Sequence, residues 1–140
     1  MANQTNTLFG SNQKGTRVQG NTQQGVDPYK DTPFFAPNME QDSEHMKAFP
    51  KGSSVIGIYD GIRVANKHKS PREQYKYVLL KNEDGSRCRL KAMGNLPWIL
   101  EESGRITKGM LIEIVYEGKQ STVKFPDGVN TFSVFEIQRT

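Results

Sequence analysis

Tyr75 and Tyr77, then an Asn82-Glu83-Asp84-Gly85 run, then Arg87, Arg89 and Lys91 make up the stretch of this chain whose residue types most clearly imply chemistry. Flat aromatic rings stack on bases while ammonium and guanidinium groups meet phosphates, so the mixture suits a single-stranded nucleic acid. It works only if a turn gathers the residues onto one face. An Asn-x-Asp-Gly run suits a type I turn closed by a glycine in the left-handed region, with three loop residues joining two antiparallel strands. That turn sets Asn82 opposite Ser86, Leu80 opposite Cys88, Val78 opposite Leu90 and Tyr77 opposite Lys91. Strand alternation then sends Val78, Leu80, Cys88 and Leu90 to a core, and Tyr75, Tyr77, Leu79, Lys81, Arg87, Arg89 and Lys91 to the opposite face. A two-residue turn would move every side chain to the other side.

Composition divides the chain. Residues 1–49 hold seven Leu, Ile, Val or Phe, about 14%, below the roughly 20% at which a segment buries enough apolar surface to offset its ordering entropy. Residues 50–140 hold 24 such residues in 91, and 15 basic against 10 acidic residues, whereas the first part has four basic and five acidic. The expected organisation is therefore a disordered tail over 1–49, dispensable for folding, and one basic domain over 50–140. A basic domain attracts polyanions. The tail opens with glycines at 10, 15, 20 and 25 among Asn, Gln, Ser and Thr, which reads as flexible low-complexity chain. Within 27–41, Tyr29, Phe34 and Phe35 lie among Pro28, Pro33 and Pro37. Such a stiff aromatic stretch either docks on a partner's groove or folds back on the domain as a clasp.

The elements that must hold the hairpin follow along the chain. Pro50-Lys51-Gly52 marks the boundary, and Val55 to Val64 reads as a long strand with Ile56, Ile58, Ile62 and Val64 on one side. Gly57 and Gly61 suggest a bulge or bend in it. Residues 65–74 form a polar loop before the hairpin. A short helix follows, capped by Asn95, with Pro97 in its first turn and Gly104 at its end. Met110 to Glu117 and Val129 to Gln138 are the last two strands, with Phe125-Pro126-Asp127-Gly128 repeating the first turn's chemistry. Three strands, a helix and two strands is the order of the OB-fold, an all-β, five-stranded Greek-key barrel that binds oligonucleotides on strands two and three and the adjoining loops. An SH3-like barrel is the rival, but a helix of this length between strands three and four is not expected of it.

Carried by Gly57-Ile58-Tyr59-Asp60-Gly61, by Tyr77 to Leu80 leading to Asp84-Gly85, by Gly109 to Gly118 with Tyr116, and by Phe132 to Ile137, the chain over residues 53–138 resembles phage-type OB-fold single-stranded DNA-binding proteins. The resemblance implies contacts from Tyr75, Tyr77, Arg87, Arg89 and Lys91. Bacterial relatives of that kind end in an acidic, Phe-terminated tail that recruits partners, whereas this chain ends Glu136-Ile137-Gln138-Arg139-Thr140. Recruitment of replication or recombination proteins would fall to the amino-terminal tail, or be absent.

The loop at Lys67-His68-Lys69-Ser70-Pro71-Arg72 places three fixed cations where the fold lines its cleft. Lys119 and Lys124 belong to the other loop. Tyr59 and Arg63 extend the platform if strand one points them outward. With Lys81, these complete the candidate nucleic-acid contacts. Trp98 is expected to pack, Cys88 to be a small core residue, and Tyr116, Phe132 and Phe135 to fill the barrel. A single cysteine with His45 and His68 supplies no zinc-ligand spacing. Gly118-Lys119-Gln120-Ser121 lacks the pattern of a phosphate-binding loop, and Glu101-Glu102 has no base or metal ligand beside it. No enzyme, metal or other cofactor is expected. No run approaches the ~20 apolar residues that span a bilayer, and the amino terminus lacks a secretory signal. The expectation is a cytoplasmic protein, in the host cell if phage-encoded, that coats and protects single-stranded DNA with little sequence preference during replication or recombination. The alternatives are single-stranded RNA as the ligand, or an OB-like interaction module whose basic face docks an acidic protein.

Overall fold

A computed structural model describes residues 26–138, so the low-complexity stretch with glycines at 10, 15, 20 and 25 lies outside the described residues. The chain separates into two units, residues 1–30 and 31–140. Of the first, residues 27–30 form a turn in which the Lys30 amide donates to the Asp27 carbonyl at 3.1 Å and the Tyr29 amide to Asp27 Oδ1 at 2.9 Å.

The second unit is mostly β, a single curled, half-barrel sheet with almost no helix. Its strands are β1 (Phe34–Ala36), β2 (Lys47–Ala48), β3 (Ser54–Ala65), β4 (Tyr75–Lys81), β5 (Arg87–Ala92), β6 (Leu111–Gln120) and β7 (Val129–Glu136). Their order across the sheet is β2-β1-β5-β4-β3-β6-β7. The long strands pair antiparallel, and β3 serves two partners: Ser54 to Ile58 lie against β6, and Ile58 to Ala65 against β4. The inner face holds Val78, Leu80, Leu90, Ile112, Ile114, Tyr116 and Phe132, packed with Leu96, Ile99, Leu100 and Ile106 from the β5–β6 connection.

The hairpin has the expected register, with Val78 opposite Leu90, Leu80 opposite Cys88 and Tyr77 opposite Lys91. The Asn82 amide donates to the Ser86 carbonyl at 2.8 Å, and Gly85, at φ 92°, donates back to the Asn82 carbonyl at 3.0 Å. Strand β3 departs from expectation. Tyr59 pairs with Leu80 but Ile62 pairs with Val78, so three steps on β3 match two on β4, and the bulge at Asp60-Gly61 inverts the faces of the strand. Val55 and Ile62 thus both pack on the core, whereas Ile56, expected inside, is 49% exposed.

Two strands lie ahead of Pro50, inside what composition marks as a tail. β1 runs parallel to β5, pairing Phe34 with Arg89 and Phe35 with Leu90, and β2 runs parallel to β1. Alternation splits the Phe34-Phe35 pair: Phe35 stacks on core residue Phe49 at 5.7 Å, and Phe34 takes the outer face. The sheet and its core therefore begin ahead of the expected boundary, and of the two readings of this stretch the clasp describes the fold.

The expected helix over 95–104 is a short one over residues 96–102, begun by the Ile99 amide donating to the Asn95 carbonyl at 3.2 Å and widened over Trp98–Glu102, where the Ser103 amide donates to the Trp98 carbonyl at 3.0 Å. Asn95 stands at its start but makes no side-chain cap. Its side chain instead bridges to β7, with Nδ2 donating to the Phe132 carbonyl at 3.2 Å and Oδ1 accepting the Phe132 amide at 2.7 Å. That backbone edge has no strand partner on this side, so one amide side chain supplies the donor and acceptor of an absent strand. Gly94 makes the approach feasible, because a Cβ there would lie 1.7 Å from the Asn130 carbonyl oxygen.

Trp98, expected to pack, is 59% exposed, and Phe135, expected in the core, is 52% exposed. Phe135 pairs with Glu113 on the outer side of β6, the same phase as exposed Ile56. Tyr116 and Phe132 do fill the core, their rings 5.0 Å apart.

Candidate nucleic-acid interface

The outer face of the hairpin and the adjoining end of β3 bring together five of the expected contact residues. Tyr75 and Tyr77 alternate outward along β4 with ring centroids 6.4 Å apart, and Lys91 Nζ stands 5.1 Å from the Tyr75 ring. Arg63 pairs with Tyr77 from β3, and Arg89 pairs with Leu79 one rung further. A cation beside a ring face is attracted by the ring's quadrupole, which orients both groups. The platform is not bare, however. Phe34 lies 5.5 Å from Tyr77 and 6.1 Å from Tyr75, and the Arg89 guanidinium stands over its ring at 4.7 Å. The tyrosines are consequently half-buried, and Leu79 beneath is buried.

The loop before β4 is built to hold its cations outward. Asn66, at φ 60°, starts the turn and donates from Nδ2 to the Glu73 carbonyl at 3.0 Å; Gln74 Nε2 donates to the Lys69 carbonyl at 2.9 Å. Ser70 Oγ donates to Glu73 Oε2 at 2.9 Å ahead of a short 3₁₀ turn, Pro71–Glu73. These bonds fix the backbone and leave Lys67, Lys69 and Arg72 exposed next to the strand that carries the tyrosines.

The remaining expected contacts are divided between the outer face, the core and the far loop. Tyr59 is in the core, 6% exposed, because it precedes the bulge; burial first and the negative charge of Glu101 second push its phenol pKa up. Lys81 sits on the outer face with its ammonium 3.8 Å from Asp60. Arg87 bends back, Nη1 donating to the Gly85 carbonyl at 3.2 Å. Lys119 lines a recess of about 500 Å³ with Lys51, Tyr116, Asn130 and the Pro37–Glu40 segment, and Lys124 stands 5.7 Å over the Phe125 ring. Cys88 packs at the core margin, and burial raises its thiol pKa away from the reactive range.

The residue missed from sequence is Phe34. Its signal was present: two adjacent Phe residues in an extended segment must point to opposite sides, so one would face the core and the other the outer surface. Among the described residues, no group of His, Cys, Asp and Glu could hold a metal ion, and no helix is long and apolar enough to cross a membrane. No family model matches the chain, and comparison with curated proteins and with solved structures gives no match.

Proposed function

We propose that this chain binds single-stranded DNA on the outer face of β4 and β5 with little sequence preference, coating and protecting it during replication or recombination, as an OB-type module of the phage single-stranded DNA-binding kind. The observation that carries the reading is the hairpin register, which gathers Tyr75, Tyr77, Arg89 and Lys91 on one face next to the ordered loop bearing Lys67, Lys69 and Arg72. Bases would stack on the rings, and the cations on both sides would track the phosphates. The five long strands also support an OB-type layout: their order is β5-β4-β3-β6-β7, and the helical turn falls between the third and fourth of them in the chain.

The test is a titration of the full chain across salt with single-stranded DNA, duplex DNA and RNA of equal length. Single-stranded DNA is expected to bind best. Replacing Lys67, Lys69 and Arg72 together with alanine should flatten the log-affinity versus log-salt slope by ~2 units, at roughly 0.7 for each phosphate left without its cation. Preference for RNA would transfer the same face to that ligand. Failure of every nucleic acid to bind would leave the acidic-protein module as the reading.

A further inference from the structure

We infer that residues Thr32–Phe34 occupy a one-nucleotide subsite of the nucleic-acid face and must lift out when a strand binds; this rests on the function proposed above. The segment offers the hairpin the two chemical features that a nucleotide offers. Phe34 supplies a flat ring against Tyr77 and Tyr75, 7% exposed and covered by Arg89. Thr32 supplies oxygens to the same guanidinium: Arg89 Nη2 donates to its carbonyl at 2.7 Å and Nε to its Oγ1 at 3.1 Å. Two donors of one guanidinium on two oxygens, next to a ring packed against two tyrosines, is an arrangement that a phosphate and its base could take over.

The hold is local. β1 has three residues, and its link to β5 on the Phe34 side includes the Arg89 amide donating to the Pro33 carbonyl at 2.8 Å. From Phe35 onward the segment is anchored, since Phe35 stacks on Phe49 and Ala36 is fully buried. Release can therefore stop between Phe34 and Phe35 and leave the core closed. Asp31, at φ 64°, holds a left-handed backbone conformation that a non-glycine residue adopts at a cost, which opposes closure. A strand would then bind only the fraction of molecules whose segment is lifted, and its apparent affinity falls by that fraction.

The experiment uses the full-length chain and a fluorescent thymine oligomer. In the wild type, saturating oligomer should speed hydrogen exchange at the Arg89 amide while the Val78 and Leu80 amides stay protected. Phe34→Ala, checked for unchanged melting, should bind the oligomer about ten-fold more tightly, because the competing ring is gone. If the variant does not fold, the wild-type exchange result decides. Oligomer binding with Arg89 exchange unchanged or slowed, or with Phe34→Ala binding equal or weaker, overturns the inference and leaves the proposed function standing. No oligomer binding by wild type or variant overturns both.

Discussion

Strand β3 and the β4–β5 hairpin lie side by side in one sheet, yet they treat alternation differently. The hairpin keeps one phase throughout: every second residue from Val78 to Leu80, and from Cys88 to Leu90, faces inward. β3 keeps its phase from Ser54 to Tyr59, loses it at Asp60-Gly61, and from Ile62 turns the other set of alternate residues inward. The hairpin can therefore present a continuous row of rings and cations, while β3 delivers Tyr59 to the core and Arg63 to the outer surface from positions four apart. One inserted residue decides which side chains a ligand can reach.

Removing that residue should be the severest way to break the contrast. Deleting Gly61 forces one half of β3 to turn its wrong face to the core, so cooperative thermal melting should be lost; a deletion variant that melts like the wild type would mean that the bulge does not set the phase. Point substitutions sharpen the same contrast. Tyr59→Ala should cost about 3–5 kcal/mol in denaturant unfolding, while Ile56→Ala, three residues earlier on the outer side, should stay within about 0.5 kcal/mol. The reverse ranking would put the isoleucines inside. The smallest effect concerns the hairpin's turn. Asp84 accepts the Ser86 amide at 2.9 Å and the Ser86 hydroxyl at 2.7 Å, and these bonds, the amide first, hold its carboxyl below the usual aspartate range. A depressed folded pKa contributes stability above the unfolded value, about 3.9, and that contribution fades as pH falls through the folded value. The Ser86 amide resonance should titrate with a midpoint below that value, and Asp84→Asn should abolish the titration. A midpoint at or above the unfolded value would show the turn to be unsupported by the carboxylate.

What was legible in the sequence follows the range of the forces involved. The hairpin could be read because Asn82, Asp84, Gly85 and Ser86 fix the turn among themselves, and alternation carries the register outward. The bulge was signalled by Gly57 and Gly61, but two glycines in one strand leave open which of them breaks the phase. Phe135 and Ile56 were misplaced together, since hydrophobicity alone does not distinguish the two faces of a sheet. The strands at Phe34–Ala36 and Lys47–Ala48 were illegible for a different reason. Three- and two-residue strands carry no periodicity; β1 pairs with β5, about 55 residues further along the chain, and β2 pairs only with β1. Asn95 does stand where the helix starts, but its side chain bonds an exposed strand edge and not the helix, because an amide suited to the one is equally suited to the other.

The two-residue β2 has a consequence for how copies of this chain behave beside one another. Without the segment ahead of Pro50, β5 would border the sheet as a six-residue strand with its amides and carbonyls turned outward, long enough to recruit the matching strand of a neighbour. With it, the sheet stops on that side at Lys47–Ala48, which offers too short a run of donors and acceptors to template another chain and carries the exposed Lys47. The clasp is in that sense a colloidal device. It keeps the backbones of neighbouring copies from pairing along β5.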